Sequence, residues 1–107
     1  MKLYGIKACD TCRKTLKTIE QSGVEVAFVD VRETPLAQDQ LSKMIEIFGD
    51  RLVNTRSTTW RGLDEAQRAR SPLELLAEYP TLMKRPVIDN GTLHLGWTKD
   101  VQDAVLR

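Results

Sequence analysis

The sequence predicts an α/β fold: β-α-β, a helical insertion over about residues 34–82, then β-β-α, around a mixed four-stranded sheet in a single domain of 107 residues. Three observations carry this. Two short apolar runs flank a stretch of helical spacing near the N-terminus, and a helix joined by short links to two strands implies a right-handed parallel βαβ unit. Near the C-terminus, Asn90-Gly91 separates two short apolar runs, a two-residue hairpin signal. Between these halves the apolar residues recur at helical intervals, punctuated by capping residues.

Leu3, Tyr4 and Ile6 form the first strand, which leads into a loop holding Cys9. Over residues 11–22, Cys12, Leu16 and Ile19 fall at i, i+4 and i+7 and give a helix one apolar face. Gly23 stops it, since glycine adopts the left-handed conformation cheaply. Residues 24–31 are rich in β-branched side chains and read as the second strand. Thr34-Pro35 reads as an N-cap with proline at the first helical position; Leu41, Met44, Ile45 and Phe48 form the buried stripe and Gly49 the end. "NTRSTTWRG", residues 54–62, is polar and non-periodic and reads as a loop, with a short helical piece starting near Leu63. Ser71-Pro72-Leu73-Glu74 is a capping-box signature for a helix to about Glu78. Residues 87–89 and 92–95 are the hairpin strands, and Thr98 caps a last helix with Val101, Ala104 and Val105 on its inner face. There are no repeats. This order is a thioredoxin-like layout with the insertion between its halves.

Charge and composition narrow the function. With 16 basic and 15 acidic side chains the net charge is +1, which argues against a nucleic-acid binder held by bulk charge. A hydrophobic fraction of 41% beside 29% charged residues suits a core with a soluble surface. No apolar run follows Lys2 as in a signal peptide, and none is long enough to span a membrane. The expectation is a cytoplasmic monomer. Thiols there are kept reduced, so the two cysteines are reactive or metal-binding rather than a staple.

Both cysteines lie in "YGIKACDTCRKTL", residues 4–16. A strand feeding a helix through this loop puts Cys9 at or just before the helix N-terminus, where free N–H groups and the dipole stabilise a thiolate. Lys7 and Arg13 add positive potential on either side. Cys12, one turn in and on the apolar face, is expected to be less exposed and less acidic. Cys9 is thus the attacking thiol and Cys12 the candidate resolving one. Zinc would want four ligands, and the chain offers two thiols and the lone His94, so no metal site is expected. "TLMKRPVI", residues 81–88, sets Lys84, Arg85 and Pro86 before the third strand. In this layout that strand lies beside the first, and its opening loop faces Cys9. A proline there is expected to be cis. The planar donor fork of Arg85 suits an anion held at the helix N-terminus. Arg56 and Arg61, in the polar loop, are further anion-binding candidates.

Together, "YGIKACDTCRKT", "LVNTRSTTWRGLDE" and "MKRPVI" resemble the arsenate reductase (ArsC)/Spx/YffB family, above all its YffB-like branch, and the resemblance runs from Lys2 to the last helix. It implies a thioredoxin-like fold with a helical insertion. In the glutaredoxin-linked arsenate reductases the first cysteine attacks arsenate and glutathione resolves the adduct; carried over, that nucleophile is Cys9, and the anion-binding arginines match Arg56 and Arg85. The chain departs from those enzymes at Gly5, where they carry a histidine, and in "GWTKD", where Lys99 stands in place of a third arginine. A glutathione-dependent thiol or disulfide reductase is therefore the leading expectation, with no bound cofactor and glutathione as co-substrate. The alternatives are a glutathione/glutaredoxin-dependent arsenate reductase and an Spx-type regulator that binds RNA polymerase and uses Cys9 and Cys12 as a redox switch. None of these readings involves direct nucleic-acid contact or a membrane.

Overall fold

The computed structural model describes residues 1–106, and the chain forms two units. The first comprises Met1–Asp30 and the chain from Arg85 onward; the second is Val31–Lys84.

The first unit holds the sheet. Strand β1 (Lys2–Gly5) leads to α1 (Asp10–Gln21) and β2 (Ala27–Asp30). After the second unit come β3 (Val87–Asp89), β4 (Leu93–Leu95) and α6 (Lys99–Val105). The strand order is β2-β1-β3-β4, with β1 parallel to β2, β3 antiparallel to β1, and β4 antiparallel to β3. The mixed four-stranded sheet is the one the sequence predicts. Leu3 pairs with Phe28 on one side and Ile88 on the other. Leu3, Ile19, Ile88 and Val105 form the buried centre, with Leu16, Phe28, Trp97 and Val101 packed around it.

The second unit is helical: α2 (Gln38–Phe48), a 3-10 turn (Gly49–Leu52), α3 (Thr58–Arg61), α4 (Glu65–Arg68), α5 (Pro72–Glu78) and a 3-10 turn (Pro80–Leu82). Leu41, Met44, Phe48, Leu75 and Leu76 are buried on α2 and α5. An antiparallel bridge between Val53 and Met83, with Asn54 N–H donating to Leu82 O and Lys84 N–H to Leu52 O (both 2.7 Å), ties the segment after α2 to the last residues of the unit.

Several local expectations are corrected. The α2 helix starts four residues after Thr34, with Ala37 at the N-cap; the Gln40 side chain reaches back to accept the Ala37 N–H at 3.0 Å, and Asp39 Oδ1 accepts the Gln40 N–H that an N-cap oxygen would otherwise take, also at 3.0 Å. Ile45 is only half-buried. The polar stretch 54–62 contains a helical turn, α3, because Ser57 caps it by accepting the Trp60 N–H at 3.1 Å, and polarity had masked that signal. The Ser71–Glu74 box is half made: Ser71 accepts the Glu74 N–H, but the Glu74 carboxylate turns to Arg70. The hairpin loop has three residues, since Asp89 pairs with Leu93 and Gly91 takes the left-handed conformation alone (φ 101°). Ala104 on α6 is exposed. Strand β2 covers only the later part of the run at 24–31.

Candidate functional site

The site grows from the carboxyl end of β1. The chain leaves Gly5, turns so that Cys9 N–H donates to Ile6 O at 2.9 Å, and enters α1 with Cys9 as the N-cap. The turn is tied down from below: the Lys7 N–H donates to the Asp30 carboxylate at 2.8 Å, and Asp30 is buried at the end of β2, paired in register with Gly5. Antiparallel pairing of Tyr4 with Val87 brings the residues just before β3 to this same end of the sheet. There Arg85 and Pro86 meet through a cis peptide bond, as expected from the sequence, and Pro86 is buried with its carbonyl accepting the Gly96 N–H at 2.8 Å.

The two sulfurs sit in opposite environments. Both thiols are free. Burial alone would push the half-buried Cys9 thiol up. Hydrogen bonding from the Cys12 N–H and thiol, and the hydrogen bond and charge of the Arg85 guanidinium, outweigh it and bring Cys9 below the ordinary cysteine range. Cys12 has no exposed surface. Burial drives its pKa up to about 11; the bond from the Ile6 N–H opposes this, while the bond to Cys9 and the charge there add to it.

Of the residues singled out in the sequence, Cys9, Cys12, Arg85 and Pro86 come together. Lys7 contributes its backbone N–H to the turn, through Asp30. Arg13 pairs with Asp10 across the first turn of α1, which neutralises the one acid beside Cys9. Arg56 belongs to the second unit, exposed in a turn where Asn54 Oδ1 accepts its N–H at 3.0 Å, and Arg61 is exposed at the end of α3. Lys84 is exposed and His94 bonds Asn90 Oδ1 at 3.0 Å. Among the described residues no three His, Cys, Asp or Glu side chains gather to hold a metal ion, and no helix is long and apolar enough to cross a membrane. Sequence reasoning missed Asp30, although an acid closing an apolar strand beside β1 was a usable signal.

A thiolate-prone sulfur beside a protonated second thiol and a guanidinium is equipped for sulfur-centred nucleophilic displacement. Comparison with known proteins agrees with this setting on a thioredoxin-like sheet. The chain belongs to the ArsC family, whose sequence profile matches residues 4–105. It is 45% identical over 103 residues to a Haemophilus influenzae protein, covering 91% of this chain and 90% of that one. It is 26% identical over 105 residues to the global transcriptional regulator Spx of Streptococcus pneumoniae, covering 92% of this chain and 79% of the regulator. Among solved structures, that of the YFFB (PA3664) protein superimposes with a TM-score of 0.90 at 33% identity, covering 99% of this chain and 98% of the other.

Proposed function

We propose that the chain is a cytoplasmic thiol oxidoreductase of the ArsC type that acts on disulfides with glutathione as co-substrate. The observation that carries the reading is the Cys9 sulfur at the α1 N-cap, held below the ordinary thiol range by Cys12 and Arg85 against its own burial. In the first step the Cys9 thiolate attacks one sulfur of a substrate disulfide. A Cys9–substrate bond forms, the substrate S–S bond breaks, and the departing thiolate takes a proton from water. In the second step a thiolate opens this mixed disulfide: Cys12 attacks the Cys9 sulfur and releases the bound half of the substrate as a thiol, whereas an external thiolate attacks the substrate-derived sulfur, forms a disulfide with it and releases the Cys9 thiolate.

Two thiols compete for that second step. Once Cys9 is in a mixed disulfide its charge no longer holds the Cys12 pKa up, but burial still does. Glutathione from solvent meets no such barrier and resolves the adduct, leaving oxidised glutathione when the bound half is itself glutathione. When Cys12 attacks instead, the product is a Cys9–Cys12 disulfide, which two glutathione thiols reduce. Arg85 steadies the thiolate and offers its donor fork to a glutathione carboxylate.

The likeness to Spx supports a second reading, a redox-sensing regulator that binds RNA polymerase through a protein surface controlled by the Cys9–Cys12 pair. Mass spectrometry of the full chain after incubation with oxidised glutathione separates the two. A glutathione adduct on Cys9 that forms first, closes only slowly to the Cys9–Cys12 disulfide, and turns over when reduced glutathione is added is the expected result. Immediate closure to an internal disulfide without turnover would favour the regulator.

A further inference from the structure

Four of the six glycines, Gly23, Gly49, Gly91 and Gly96, lie at positive φ, where glycine is the natural choice. Gly5 does not. It sits in β1 with extended backbone that any residue adopts, and glycine there weakens a strand. The reason for glycine at this position is therefore space. A β-carbon placed on Gly5 would stand 2.5 Å from the Cys12 Sγ and 3.2 Å from its Cβ. Nothing at the tip of a flexible chain is involved: Cys12 has one side-chain torsion, it is fully buried, and Ile19 of its helix shares the buried centre with Leu3 of β1.

We propose that Gly5 is the positioning residue of the dithiol: the volume that a side chain at residue 5 would fill holds the Cys12 sulfur, and glycine there is what lets the second thiol sit beside Cys9. The site has room for a side chain at position 5 or for a thiol at position 12 in this rotamer, and this chain takes the thiol. With any larger residue at 5, the Cys12 Sγ must rotate away from the strand. That rotation takes it out of line with Cys9 and away from the Ile6 N–H, the two groups it meets here. Gly5 thus acts on the nucleophile without touching it, through the second sulfur.

The functional consequence rests on reading Cys9 as the nucleophile, but the test does not, because its main readout needs no substrate. Four full-length proteins are compared: wild type, Gly5→Ala, Cys12→Ala and Gly5→Ala/Cys12→Ala. Thiolate absorbance against pH gives the Cys9 pKa in each, and oxidised glutathione gives the rate of internal disulfide closure where both thiols remain. In that reaction the Cys9 thiolate displaces one glutathione thiolate from oxidised glutathione, and the Cys12 thiolate then displaces the second. Gly5→Ala is expected to raise the Cys9 pKa to the value seen in Cys12→Ala, and to slow closure about a hundredfold. In the Cys12→Ala background the same substitution is expected to leave the Cys9 pKa where it is. An unchanged pKa in Gly5→Ala would overturn the proposal, as would an equal shift with and without the Cys12 sulfur. If Gly5→Ala alone does not fold but the double variant does, the collision with the thiol is established by rescue. If neither folds, the glycine serves the strand itself and the proposal is wrong.

Discussion

Cys9 and Cys12 are three residues apart at the start of one helix, yet their surroundings are opposite. At the mouth of α1, Cys9 is half-buried and receives donors from Cys12 and Arg85. On the inner face of the first turn, Cys12 has no exposed surface, lies over Gly5, and has its pKa raised to about 11. Being near each other makes them unequal. A negative charge on Cys9 is stabilised by the proton that Cys12 keeps, and that same charge makes the Cys12 proton harder to lose. A pair of identical thiols becomes an attacker and a reserve through one turn of helix.

The most direct way to break this division of labour is to remove each sulfur. Cys9→Ser is expected to abolish thiol transfer, whereas Cys12→Ser retains a large part of the glutathione-dependent activity because an external thiol resolves the adduct. Steady-state rates of both variants check it, and equal loss in the two would mean an obligatory internal dithiol. Next in size is Arg85. Arg85→Ala is expected to raise the Cys9 pKa and weaken glutathione binding, and Arg85→Lys to restore the pKa more fully than the binding, since lysine supplies charge without the fork. Titration of the thiolate alongside KM for glutathione separates the two effects.

A smaller effect sharpens the contrast through pH. The folded state raises the Cys12 pKa above its unfolded value, so its contribution to stability is fully present below about pH 9 and is lost as pH rises toward about 11. Cys9 works in the other sense: its lowered value adds stability that is present above the unfolded cysteine range and lost as pH falls through the folded one. Urea unfolding midpoints should therefore fall on the alkaline side in wild type, at no more than about 1.4 kcal/mol per pH unit from this group. The fall should be shallower in Cys12→Ala. The smallest expected change lies one turn further along the buried face. Thr15 is fully buried, and its hydroxyl has no hydrogen-bond partner. Thr15→Val keeps the shape and removes the unmet polar group, so it should stabilise the chain by about 1 kcal/mol, read as a higher unfolding midpoint.

The chemical half of the molecule was largely legible because its signals are local or topological. The strand–cysteine–helix junction fixes where Cys9 lies, and the β-α-β then β-β-α order alone brings Arg85 and Pro86 to it. Helix starts were less legible where the cap was unusual: Gln40 closing back on Ala37 leaves no Ser or Asp to read, and the Ser57 cap hides inside a polar run. Arg13 shows another limit. Its position beside the helix start was evident, but its partner, Asp10, depends on rotamers that spacing does not specify. Gly5 appeared in the sequence only as a missing histidine. Its meaning is a distance to a sulfur seven residues on, and only the packing of α1 on β1 supplies that.

The two tryptophans have been distributed one to each unit. Trp97 packs against the centre formed by Leu3, Ile19, Ile88 and Val105, while Trp60 lies in α3 with the Arg68 guanidinium 5.4 Å from its ring centroid and bonded to its carbonyl. The chain therefore carries its own pair of fluorophores, one reporting on the sheet that holds the thiols and the other on the helical segment. With Trp60→Phe the remaining emission follows the first unit, and with Trp97→Phe it follows the second. Coincident midpoints in the two variants would mean that the units melt as one cooperative block, and separated midpoints that each has its own transition.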